Sequence, residues 1–150
     1  MSRGTRWTII SVLGAMALVA AGCGAVTRVT SGDPSHGKAL FVQRCGACHV
    51  LANAKTQGTV GPNLDDAFAS VKEQGFNLST ITDVIRGQIA YPDTKPSTGV
   101  PGMSPNLAHG QDARDIAVYV GLCSAQPDCK IPPGTVAVPS RGTTETTEGT

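Results

Sequence analysis

Aromatic residues are scarce in this chain. There are one Trp, two Tyr and three Phe among 150 residues. Basic runs are absent, and the formal net charge is only +1. Without a positive stripe to neutralise phosphates, nucleic acid is excluded as a partner. No internal repeat and no convincing ladder of strands is visible. The apolar run from Trp7 to Gly22 is shorter than the ~20 residues that cross a bilayer comfortably. Methionine and histidine are also rare, at three each, which narrows any search for metal ligands.

The first residues carry a different signal. Arg3 and Arg6 precede the uncharged run, and small residues close it. That is the pattern of an export signal, set against a membrane anchor that stays. "LVAAGC" resembles a bacterial lipoprotein signal, with Ala20, Ala21 and Gly22 before Cys23 and Ala20 where Leu is commoner. The resemblance implies that residues 1–22 are removed and Cys23 is lipidated. The protein would then be anchored on the extracytoplasmic face of the membrane by two or more acyl chains, which hold where one does not. Removing Arg3 and Arg6 brings the chain to about −1. Export also implies an oxidising compartment, where disulfides persist.

Residues 24–32 read as a short polar linker, and the folded domain is expected over 33–130. Asp33 and Pro34 suit the N-cap and first position of a helix running to Cys45. Gly37 costs about 1 kcal/mol inside it relative to Ala, which close approach of another backbone would explain. A short helix is expected at Leu64 to Lys72. Ser79 is placed to cap a further helix with a stripe of Ile81, Val84, Ile85 and Ile89. A four-proline loop, "AYPDTKPSTGVPGMSP", leads to a last helix over 110–121, which Gly121 is placed to end. Residues 131–150, rich in Pro, Thr and Gly, read as a disordered tail. The fold class is therefore all-α, with three to five helices and long loops. So thin a core leaves room for something else to fill its middle.

"RCGACHV" places Cys45, Cys48 and His49 in the spacing Cys-x-x-Cys-His. A thioredoxin-like redox pair needs a βαβ setting that these residues lack. A zinc site needs four ligands, and the only other cysteine pair, Cys123 and Cys129, is far away and widely spaced. The remaining reading is c-type haem attachment. Each thiol adds to one porphyrin vinyl group, and the adjacent His reaches the iron.

In these surroundings the chain resembles the class I c-type cytochromes, small single-haem electron carriers. "DPSHGKALFVQRCGACH" is similar to their first helix and attachment site, "TVGPNL" to the loop in which a proline carbonyl holds the ligating His, and "DIAVYVG" to their last helix. The resemblance implies one covalent haem c on Cys45 and Cys48, with His49 on the iron and Pro62 holding His49. It also implies that Ile116 and Tyr119 meet Gly37 and Phe41 where the terminal helices cross. Met103 is the one methionine outside the signal, on the Pro-rich loop where the family places its second axial ligand. His109 remains the rival, and bis-His ligation would lower the reduction potential. His36 is expected in solvent, and Asp65 and Asp66 solvated or helix-capping. Arg86 and Tyr91 are candidates for haem propionates. Cys123 and Cys129 flank the turn-prone "SAQPD" and are expected to form a disulfide.

The expected function is electron transfer by a membrane-tethered monohaem cytochrome cycling Fe(II) and Fe(III); it is not an enzyme. Its partners would be membrane redox complexes or other electron-transfer proteins, met through an apolar patch, since charge is nearly balanced. A haem subunit docked permanently in a larger oxidoreductase is the alternative. A haem enzyme or gas sensor would need an open iron site.

Overall fold

The computed structural model describes residues 28–97, 99 and 101–139. The expected signal peptide (residues 1–22), the expected lipidation site Cys23 and the last eleven residues of the expected tail lie outside the described residues. Four α-helices occur among those described: α1 (Pro34–Arg44), α2 (Leu64–Glu73), α3 (Leu78–Ala90) and α4 (Gly110–Cys123). None is long and apolar enough to cross a membrane.

The helix starts follow local chemistry. Asp33 caps α1 by accepting from the Ser35 and His36 amides, with Pro34 in the first turn. Asn63 caps α2 by accepting from the Asp65 amide at 3.0 Å. The expected cap of α3 is corrected. Asn77 is its N-cap, without a side-chain bond, and Ser79 lies buried inside the first turn. The apolar stripe is also narrower than expected. Ile81, Ile85 and Ile89 are buried, while Val84, about 100° round the helix from Ile85, is exposed.

Two helix crossings build the core. At Gly37, a Cβ would overlap the backbone carbonyl of Asp115, so α1 and α4 touch main chain to main chain. One turn on, Phe41 meets Tyr119 edge-to-face, with centroids 5.9 Å apart. The second crossing explains Gly121, which does not end α4. The helix continues to Cys123, and a Cβ on Gly121 would press 2.8 Å from Thr82 Cγ2 on α3.

Asp115 is 2% exposed and ties the first crossing together. Its carboxylate accepts from the Asp33 amide at 2.9 Å, from Gln111 Nε2 at 2.6 Å and from His36 Nδ1 at 2.8 Å. His36 is therefore not simply solvated; one edge of its ring is fixed on a buried carboxylate. Asp65 departs from expectation similarly. It accepts from the Ala52 and Ala125 amides, pinning two loops, while Asp66 accepts from Asn63 Nδ2.

Two short antiparallel ladders were not anticipated. β2 (Val50–Leu51) pairs with β3 (Thr56–Gln57), and β1 (Ser31–Gly32) pairs with β4 (Val136–Ala137). The second pair corrects both domain boundaries. Val29 and Val138 are buried, and the Val138 amide donates to Thr30 O. The expected linker and the start of the expected tail thus form a clasp on the domain. The physical reason is burial of two valines, Val29 and Val138, whose apolar surroundings are too short to mark an element in the sequence.

The crossing predicts opposite outcomes for two helical glycines. Gly37→Ala should cost about 2–4 kcal/mol, because backbone cannot yield to the added methyl. Gly87→Ala in α3, where a Cβ meets nothing within 4 Å, should gain about 0.5–1 kcal/mol from helix propensity. Denaturant melts of the two variants check both. A pH dependence follows from His36, whose pKa is raised above 6.5, chiefly by the hydrogen bond to Asp115. A raised value means the folded state favours the protonated ring. Its contribution is complete below the ordinary histidine value and fades as pH rises through the folded one. Melts between about pH 5 and 8 should show this loss, and His36→Gln should abolish it.

Candidate functional site

The front faces of α3 and α4 do not close on α2. They leave a cavity of about 510 Å³, walled by Leu64 and Phe68 of α2, Ile85 and Ile89 of α3, and Ile116 and Val120 of α4. Phe41, Arg44 and Cys45 at the end of α1 form another wall, with Cys48 and His49 after them. Met103 lines the same space from the Pro-rich loop. The lining is overwhelmingly hydrocarbon with a few convergent polar groups, as expected of a site for a bulky apolar ligand.

The attachment motif is a tight turn. The amides of Cys48 and His49 both donate to Cys45 O at 3.0 Å, which curls the segment so that both thiols and the ring line one cavity. Both cysteines are free; Cys45 is buried and Cys48 exposed. Burial pushes the Cys45 thiol up to about 11, with Arg44 pulling the other way. The thiol is neutral at ordinary pH.

His49 is oriented from two sides. Its Nδ1 lies 2.9 Å from Pro62 O. A carbonyl can only accept, so Nδ1 carries the proton, and in the neutral tautomer this selects, Nε2 has the lone pair that a metal ligand needs. Gly61 lies flat against the ring, and a Cβ there would fall 2.5 Å from His49 Cε1. The Gly61 amide donates to Cys48 O at 2.8 Å, which locks this loop to the motif.

The Met103 loop is held at both ends. The Met103 amide donates to Asp93 O at 2.9 Å. Arg44 Nη1 reaches Asp112 Oδ2 at 2.9 Å and Leu107 O at 3.3 Å, joining the end of α1 to the segment after Met103. His109 is exposed at the N-cap of α4 and is not among the cavity's lining residues. Nor are Arg86 and Tyr91; Tyr91 is 72% exposed, and Arg86 Nε is buried without a hydrogen-bond partner. Cys123 and Cys129 are bonded at 2.03 Å, away from the cavity.

Three contributors escaped the sequence reading. Arg44 sits within the quoted motif, but only its partners reveal its part. Gly61 had a usable signal in its place directly before Pro62. Asn53 had none: it accepts from Lys38 Nζ and Tyr119 OH and donates to Pro127 O and Cys129 O, binding the loop after the motif to the far end of the chain.

The donor set fits a covalently held haem. Two thiols and a histidine with a free Nε2 share an apolar cavity with a thioether from another segment. No group of three or more His, Cys, Asp or Glu able to hold a bare metal ion occurs among the described residues. Comparison with known proteins agrees. A family model described as Cytochrome c matches residues 34–121. Photosystem II extrinsic protein V of Rippkaea orientalis is 30% identical over 105 residues. The match covers 65% of this chain and 65% of that protein, so the chain spans just under two thirds of its relative's length. No solved structure matches.

The bond at the end of α4 yields a prediction. Alkylation without reductant should leave both Cys123 and Cys129 unlabelled by mass. Reducing a bridge with sequence separation 6 should cost about 2 kcal/mol in a denaturant melt.

Proposed function

The chain belongs to the cytochrome c family, and on that premise we propose that it is an exported one-electron carrier, tethered by lipid on Cys23, with His49 and Met103 as its axial ligands. The reading is carried by one observation: both motif thiols, His49 and Met103 line a single apolar cavity. When bound, haem c supplies the one-electron couple. The protein supplies everything around it. Cys45 and Cys48 hold the group covalently. His49 Nδ1–H donates to Pro62 O, which fixes the ring and raises its basicity as a ligand. The Asp93 carbonyl and Arg44 restrain the segment that carries Met103, so little freedom is lost when a weak thioether ligand binds. The aliphatic walls exclude water, which favours the less charged state and, with Met ligation, a higher potential.

With both axial positions taken from the protein there is no open site for a substrate, in keeping with a carrier rather than an enzyme. Val60, Pro62 and Pro101 are exposed where they line the cavity. Together with near-zero net charge, this favours docking through an apolar rim. A second reading has one observation in its favour. The relative is named an extrinsic protein of photosystem II, which suits a haem subunit docked on a larger complex. A stable assembly in gentle detergent extracts supports that reading, and a free monomer supports the carrier.

The test is a reduced-minus-oxidised spectrum with a redox titration. A carrier with one haem gives a single one-electron wave of about 59 mV per decade. Met103→Ala should erase the weak red band of Met-ligated ferric haem, lower the potential and allow the reduced protein to bind carbon monoxide. His109→Ala should leave all three unchanged. If the red band survives in Met103→Ala, Met103 is not the ligand.

A further inference from the structure

The clasp and the cavity lie on opposite faces of the same two helices. On α4 the cavity is lined by Ile116 and Val120, whereas Gly32 of the clasp abuts Val118 and the Arg114 carbonyl. At about 100° per residue, Val118 points roughly 180° away from the middle of the Ile116–Val120 stripe. On α3 the cavity is lined by Ile85, Gln88 and Ile89, whereas the Val29 amide donates to Asp83 Oδ1 at 2.8 Å. Asp83 lies about 160° from Ile85 round that helix. Two helices independently place residues 28–32 behind the cavity. Of the exposed lining residues, Cys48, Val60, Pro62, Asp93, Pro101 and Ser104 belong to loops, Ala67 to α2 and Gln88 to α3; none belongs to the clasp.

Chain length turns this placement into an orientation. With residues 28–32 tied into the domain, Arg28 lies only five residues along the chain from Cys23. Such a tether reaches at most about 18 Å. A domain of this size has a radius of gyration near 13 Å, hence a diameter of roughly 30 Å. Turning the cavity mouth onto the bilayer would lift the clasp about one diameter above the surface, beyond the tether's reach.

We propose that the domain stands on its clasp, with the cavity mouth directed away from the lipid. Its electron partner is then a water-exposed redox protein with an apolar contact face, rather than a quinone dissolved in the bilayer. The exchange is one electron with no bond made or broken: the partner gains one as the haem iron loses one. This rests on Cys23 lipidation and on haem in the cavity, as proposed above.

The experiment uses the full lipidated protein in phosphatidylethanolamine–phosphatidylglycerol vesicles. Flotation reads the tether separately from the orientation; protein that does not float with the vesicles overturns both. For protein that floats, reduction by membrane-impermeant hexaammineruthenium(II) should match the rate in detergent micelles within about twofold, and decylubiquinol in the vesicles should be about tenfold slower or worse. Inserting a flexible Gly/Ser segment of about 20 residues before Arg28 should change neither rate, since the mouth is already free. A tenfold faster ruthenium reaction on lengthening, or quinol as the faster donor with the native tether, would overturn the orientation while leaving the tether intact.

Discussion

The structure depends on the contact at Gly37. A side chain of any size there would hold α1 away from the Asp115 carbonyl. The Phe41–Tyr119 contact is 5.9 Å between centroids, and it too requires that close approach. α1 also delivers Cys45 to the cavity and is followed directly by Cys48 and His49. The angle of one helix against another therefore sets where both thiols and the ring stand relative to Ile116 and Val120. Main-chain contact suits this role because it leaves no rotamer to adjust. Asp115 reinforces it with polar bonds. Three donors converge on a carboxylate taken out of water, and each would be costly to leave unmade.

The remaining order comes from polar residues acting at a distance in sequence. Asp65 joins the amides of Ala52 and Ala125, Asn53 joins Lys38, Tyr119, Pro127 and Cys129, and Lys72 Nζ caps the end of α4 through Leu122 O and Ser124 O. Burial lowers the pKa of Lys72, yet the ammonium is well placed among the terminal carbonyls of a helix. Long loops are thereby held without a large apolar core beneath them, which suits a chain with so few aromatic residues.

What was legible in the sequence follows from the range of the interactions. The attachment motif is local, so its chemistry could be read from five consecutive residues. The Asp33 cap and the α1, α2 and α4 segments also follow from short-range signals. Ser79 misled because Asn77 stands two residues earlier and starts the helix first. Val84 misled because an apolar residue beside a stripe looks like part of it. The clasp was hidden for a deeper reason. Val29 lies between Arg28 and Thr30, Val138 closes a run of only three apolar residues before Pro139, and only pairing between segments about 100 residues apart buries them. Nothing local distinguishes such a residue from one in a linker. Arg44 and Asn53 were illegible likewise, since all their partners except Lys38 lie more than 60 residues away.

The two faces of α3 and α4 explain why a thin core is enough. Their back faces meet the clasp through close contact at Gly32 and a partly buried hydrogen bond from the Val29 amide to Asp83, which need no filler. Their front faces present Ile85, Ile89, Ile116 and Val120 to a space of about 510 Å³ that no side chain of this chain is large enough to occupy. Apolar walls facing such a space gain their dispersion contacts from whatever fills it. A rigid, flat porphyrin held there would meet these walls together, where aliphatic side chains would have to be supplied from several segments and packed individually. Covalent attachment at Cys45 and Cys48, as proposed above, would make that filler part of the chain, so that its packing would become folding free energy rather than a binding equilibrium. Haem binding and stability would thus rest on the same surface, and the clasp lies behind it on the other face of both helices.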